Sequence, residues 1–241
     1  MKNISETGHG INLSNMKLQI DHCTSFGAAY NPSNADLSIA NMTAKWDIAK
    51  AQHEAAREAL QQSKEPINKR EILYEGLSKL VTRVVGHLDS LKVSQAIRKD
   101  ARGLADRIRG NKVRGKTLAN GEENPNYVSN SHMSFVMRAE SFRDLISLVS
   151  TVTAYAPNET DLSIASMSAL SHEMDVKNEE IGVILAPVAM ARIARNKELY
   201  APETGLLDVA YASKDYVKGV FGSRSPEHKL VSGIRYTRPK A

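Results

Sequence analysis

One stretch of this chain has the residue types and spacing of a phosphate site. Residues 110–117 run Gly110, Asn111, Lys112, Val113, Arg114, Gly115, Lys116, Thr117 and match G-x-x-x-x-G-K-[ST] letter for letter. In that motif, backbone amides and a lysine cradle phosphates between a buried strand and the helix that follows it. The surroundings here are different. Residues 101–109 form an arginine-studded helical pattern, and residues 118–125 hold Gly121 and Pro125 and read as coil. No second apolar strand ends in an aspartate suited to magnesium. The expected structure is a helix closed by Gly110 and followed by a basic loop, with nucleotide binding at 110–117 a remote alternative.

The other chemical residues do not assemble into a motif. The histidines are His9, His22, His53, His87, His132, His172 and His228. The Glu-x-x-His pair, Glu6 and His9, falls in a glycine-bearing stretch read as coil, whereas a di-metal bundle needs such pairs on facing helices. His172-Glu173 lacks the second histidine of a zinc helix. His22 and Cys23 are neighbours, and neighbours on a helix point about 100° apart, so they form no catalytic dyad. The expectation is no catalytic residue, no metal and no cofactor. Cys23 is the single cysteine and is read as a small buried apolar residue.

Charge gives the clearest candidate surface. The net charge is +5, yet residues 98–116 alone carry 8 basic and 2 acidic groups, and residues 224–241 carry 5 and 1. Between them, residues 117–223 carry 8 and 14. The candidate polyanion-binding residues are Arg98, Lys99, Arg102, Arg107, Arg109, Lys112, Arg114 and Lys116, joined by Arg235, Arg238 and Lys240 near the end of the chain. No aromatic residues interleave with them, which argues against stacking on single strands. The bland alternative is a solvated helix face and loop.

The elements that must position these groups come from an internal repeat. The thirteen residues 30–42 recur at 155–167 with eight identities at an offset of 125. The shared positions include Tyr30 and Tyr155, Pro32 and Pro157, and Asp36 and Asp161. The tyrosines are expected to lie over a helix end, the prolines to fix the turn, and the aspartates to serve as a cap or first-turn carboxylate. A weaker match at an offset near 126 sets residues 70–74 against 196–200. The division expected is a flexible N-terminus at 1–12, one helical repeat at 13–110, a linker at 111–131 and a second repeat at 132–241.

Each copy reads as four helices. In the first copy they fall near 13–28, 35–63, from Pro66 to about 91, and from Ser94 to 109. In the second they fall near 134–153, 161–185, 187–200 and 205–221, with a short segment at 226–234. Pro187 either breaks the second from the third or only bends one rod. The fold class is all-α, two tandem units resembling up-and-down four-helix bundles. Aromatics at 5% and a single tryptophan suit helix better than sheet.

At the two tyrosine–proline blocks, at Ala194-Arg195-Asn196, Gly205-Leu206 and Leu230-Val231-Ser232-Gly233, the sequence resembles a family of uncharacterised helical proteins associated with Bacteroidota. That resemblance implies a duplicated helical architecture. The family has no assigned activity, and no site residue is carried over.

The N-terminal residues lack an apolar signal region, no run approaches a membrane span, and one thiol suits a reducing compartment. A cytoplasmic protein is expected. The functional expectation is a non-enzymatic scaffold, adaptor or self-assembling protein, forming a homo-oligomer or binding a protein partner. The alternative is binding of nucleic acid or ribosome through the basic segments.

Overall fold

A computed structural model describes residues 6–110 and 134–239. All regular structure among them is helical. The α-helices are α1 (Glu6–Ser25), α2 (Ile39–Glu75), α3 (Leu77–Ser90), α4 (Gln95–Arg109), α5 (Phe135–Ser150), α6 (Ile164–Tyr200), α7 (Leu206–Phe221) and α8 (Pro226–Ser232). Short 3-10 turns at Ala35–Leu37 and Thr160–Leu162 precede α2 and α6.

Serine hydroxyls start most of these helices. Ser94, Ser134 and Ser225 accept from the amides of Ile97, Met137 and His228. Ser38 and Ser163 do the same for Asn41 and Ser166, each at 3.2 Å. Each hydroxyl satisfies an amide that has no partner within its helix. The caps of α2 and α6 are therefore these serines, and Asp36 and Asp161 are first-turn carboxylates of the 3-10 segments just before them.

Two expected boundaries move. The chain does not break before Pro66. α2 continues through it to Glu75, and α6 likewise continues through Pro187. A proline inside a helix removes one amide from the ladder, and here the remaining turns and their packing hold both helices together. The break in the first half comes instead at Gly76. At the N-terminus, α1 begins at Glu6 rather than at residue 13, so the part of 1–12 that is described is not a loose arm. His9 and Asn12 are buried there and make side-chain hydrogen bonds. The expected linker at 111–131 lies outside the described residues.

Contacts divide the chain into two compact units. Unit 1 takes Met1–Gln62 and Leu185–Ala241, and unit 2 takes Ser63–Ile184. This is not a tandem division at 13–110 and 132–241. Both boundaries fall inside the 37-residue helices α2 and α6.

Each core therefore combines the two halves of the chain. In unit 1, Met16, Ile20, Cys23, Met42 and Ala49 pack with Leu199, Leu206, Ala210, Val217 and Val231. The Trp46 indole N–H donates to the Leu13 carbonyl at 2.8 Å. In unit 2, Leu77, Val81, Val84, Leu88 and Ala105 pack with Phe142, Leu145, Val149, Leu162 and Met167.

Candidate interaction surface

The basic residues divide between the two units. Those on α4 belong to unit 2, and Arg235 and Arg238 belong to unit 1. Several are already engaged. Arg98 donates to the Leu91 carbonyl at 2.7 Å. Arg102 pairs with Asp89 at 2.8 Å. Arg109 donates to the Thr82 hydroxyl at 2.8 Å and pairs with Asp106 at 3.5 Å. Arg238 pairs with Asp208 and donates to the Tyr200 carbonyl at 3.4 Å. Lys99, Arg107 and Arg235 are exposed and have no ion pair among the described residues. Lys112, Arg114, Lys116 and Lys240 lie outside the described residues. Gly110 ends α4 with φ of 74°, the left-handed cap a helix C-terminus favours. A helix, not a strand, thus leads into residues 110–117.

The repeated tyrosines bind their own turns. Tyr30 donates to the Leu37 carbonyl at 2.9 Å, and Tyr155 donates to the Leu162 carbonyl at 3.0 Å. Burial raises both phenols, Tyr155 to about 12. Both stay protonated as donors. Pro32 and Pro157 lie in the turns between them, as expected. Asp161 pairs with Arg83 of α3. Cys23 is buried, and burial raises its thiol to about 11. The thiol is held away from the thiolate form that a nucleophile needs.

An open cavity of about 550 Å³ lies in unit 2 between the end of α2 and the start of α5. Glu71, Glu75, Phe135 and Arg138 are among its walls. Its inner polar groups are bonded to the protein. The Tyr74 hydroxyl donates to the Phe135 carbonyl at 3.0 Å and accepts from the Asn178 amide at 2.8 Å. Arg138 donates to the Ile108 carbonyl at 3.1 Å and lies 5.3 Å from the Tyr74 ring. Desolvation lowers its pKa. Groups tied in this way brace α2, α4 and α5 together rather than converging on a ligand. Among the described residues no group of three His, Cys, Asp or Glu side chains could hold a metal ion.

The feature that stands out lies on α6. Residues 181–191 carry no charge. Met174, Ile181, Val188 and Leu199 form its buried face. On the opposite side, Val183 is 75% exposed, Met190 65% and Ile193 61%, with Val176 and Ala186 also exposed. Positions three, four and seven apart share a helix face, so Ala186, Met190 and Ile193 form one apolar patch in unit 1, and Val176 and Val183 form another in unit 2. Glu179 lies between Val176 and Val183 in unit 2, and Lys197 follows Ile193 in unit 1, both exposed. The duplicated helix differs here. At the positions 125 earlier, α2 carries Ala51, Glu54, Glu58, Gln61, Glu65, Asn68 and Ile72.

No family model matches this chain, and no curated protein or solved structure is detectably similar to it. Function has to be read from these surfaces. The sequence reading missed the outward apolar residues because an uncharged run does not reveal which of its faces is covered. It also missed the buried polar groups of α1. His9 and Tyr200 share a 2.7 Å hydrogen bond, and Asn12 donates to the Thr237 carbonyl at 2.8 Å. The signal for these was polar residues at helical spacing, His9, Asn12 and Gln19, in line with apolar ones. No helix of the described residues is long and apolar enough to cross a membrane.

Proposed function

We propose that this chain is a non-enzymatic helical scaffold or adaptor that assembles through the outward apolar residues of α6. One observation carries the reading. α6 exposes Met190 and Ile193 in unit 1 and Val183 in unit 2, whereas the α2 residues 125 positions earlier, Glu65, Asn68 and Glu58, are polar or acidic. A helix with apolar groups on two opposite faces covers one in its own core and leaves the other for a partner. The internal bonds of Arg98, Arg102, Arg109 and Arg238 weigh against a dedicated polyanion surface.

Light scattering on a sizing column, with absorbance at 260 and 280 nm in low and high salt, tests this. The expected result is one discrete mass above that of a single chain, free of nucleic acid and unchanged by salt. A single-chain mass at both salts overturns the reading. Nucleic acid that co-elutes at low salt and leaves at high salt favours polyanion binding instead.

A further inference from the structure

We infer that the cleft between α5 and α6 in unit 2 binds a small phosphate monoester, held by Arg143, Ser168, Ser171 and His172. The cleft has a volume of about 270 Å³, and Ile146 and Asp175 complete its walls. All of these residues belong to unit 2. Ser168, Ser171, His172 and Asp175 are spaced three and four apart, so they share one face of α6. Arg143 and Ile146 face them from α5.

The duplication explains why there is room. Counting back 125 positions, as at the tyrosine turns, sets Ser171 against Trp46 and Ser168 against Thr43. In unit 1 the Trp46 ring packs on the core, and its indole N–H donates to the Leu13 carbonyl of α1. The Thr43 hydroxyl is turned back onto the Ile39 carbonyl. In unit 2 a serine stands in place of the indole, and a cleft opens beside it.

The polar groups of this cleft are open, unlike those of the larger cavity beside Tyr74. Ser171 is only 5% exposed, and among the described residues its hydroxyl has no hydrogen-bond partner. The same is true of the Ser168 hydroxyl and the His172 imidazole. A buried hydroxyl left without a partner is costly, and a ligand that bonds it removes the cost. The cleft offers mainly donors: a guanidinium, two hydroxyls and the N–H that an imidazole keeps in either tautomer. Its carboxylate, Asp175, already accepts from Arg143. Such a site selects an acceptor-rich ligand, and the three terminal oxygens of a phosphate monoester meet it. The cleft is larger than a bare phosphate, and Ile146 gives the organic part of the ester an apolar wall.

Titration calorimetry on the full chain tests this with inorganic phosphate, phenyl phosphate and benzoate. Phenyl phosphate should saturate a single site per chain and bind more tightly than inorganic phosphate, with benzoate weaker than both. Ser171→Ala should weaken phenyl phosphate about fivefold, and Arg143→Gln about tenfold or more. Asp175→Asn removes the carboxylate that competes for Arg143 and should tighten binding about tenfold. Ser171→Trp installs the residue of the first copy and should abolish binding with helical circular dichroism unchanged. Should that variant fail to fold, Ser171→Ala and Asp175→Asn, which shift affinity in opposite directions, still decide. Lys99→Gln and Arg107→Gln on α4 should change nothing. No saturable binding of phenyl phosphate up to about 10 mM overturns the inference. Binding that is unmoved by Ser171→Ala and Arg143→Gln, or lost in the α4 variants, places the anion elsewhere and overturns it too. Benzoate as tight as phenyl phosphate overturns the choice of phosphate. None of these outcomes turns on oligomeric state, so failure here leaves the scaffold reading standing.

Discussion

Tyr30 lies edge-on against Tyr216, with ring centroids 5.2 Å apart at 86°. The first residue opens the repeated block in the first half of the chain, and the second lies on α7 in the second half. The reciprocal contact occurs in unit 2, where Tyr155 meets His87 of α3 at 5.1 Å and 87°. His87 and Tyr216 are 129 positions apart, as are Leu77 and Leu206, Val81 and Ala210, and Leu88 and Val217, all six of these latter residues buried. Each unit thus takes the tyrosine turn from one half and the helix beneath it from the other.

This exchange makes the halves dependent on each other. A protease site inserted after Gly121 and cut to completion should leave two fragments that co-elute in native buffer and separate only in denaturant. Each core holds buried apolar residues from both fragments, so their burial keeps the fragments together once the chain is cut. Fragments that separate and stay folded would contradict the exchange.

The tyrosine hydroxyls should be worth similar amounts. Tyr30→Phe and Tyr155→Phe each remove one buried hydrogen bond, to Leu37 and to Leu162. Each should cost about 1 kcal/mol, read as a lower urea midpoint at constant slope.

The glycines that open α3 and α7 should respond in opposite ways. A Cβ at Gly205 would lie 2.6 Å from the Ala201 carbonyl oxygen and 2.7 Å from its nitrogen. Backbone cannot swing aside as a side chain can, so Gly205→Ala should cost roughly 2 kcal/mol or more. A Cβ at Gly76 meets nothing within 4 Å, and its φ of −79° is ordinary. Gly76→Ala should be neutral or slightly stabilising. Thermal unfolding of the two variants would distinguish them.

Cys23 gives the pH prediction. Burial raises the thiol from its ordinary 9.0 to about 11. Between those values the unfolded chain loses this proton while the folded chain keeps it, so stability is complete below pH 9 and falls as pH rises toward 11. Tyr155, raised from 10.0 to about 12, acts in the same direction at higher pH. Denaturant titrations from pH 8 to 11 should show this decline, and Cys23→Ala should flatten its onset. An unchanged onset in Cys23→Ala would assign the decline elsewhere. Native Cys23 should also react with thiol reagents far more slowly than the unfolded chain.

The local features were legible because their causes are local. Ser94 capping α4 and Gly110 ending it follow from hydrogen bonds and backbone limits within a few residues, whereas the tyrosines, expected over a helix end, bond the Leu37 and Leu162 carbonyls of their own turns. Of the two roles open to Asp36, cap or first-turn carboxylate, the structure has the second, in the 3-10 turn at Ala35–Leu37, and Ser38 caps α2. The break expected at Pro66 rested on proline's missing amide. The helix nevertheless continues through Pro66 to Glu75.

By itself the sequence determined an all-helical chain, a twice-used turn and the positions where most helices begin. Tertiary structure alone decided which half completes which core. It also decided that His9 and Asn12 are interior groups, that Arg98, Arg102 and Arg109 bond within unit 2, and that Val183 and Met190 face outward. The physical reason is the range of the forces. Caps and turns act over a few residues, whereas α3 and α7 find their partners across the whole chain, and an uncharged helix such as the middle of α6 has no face until its neighbours cover one.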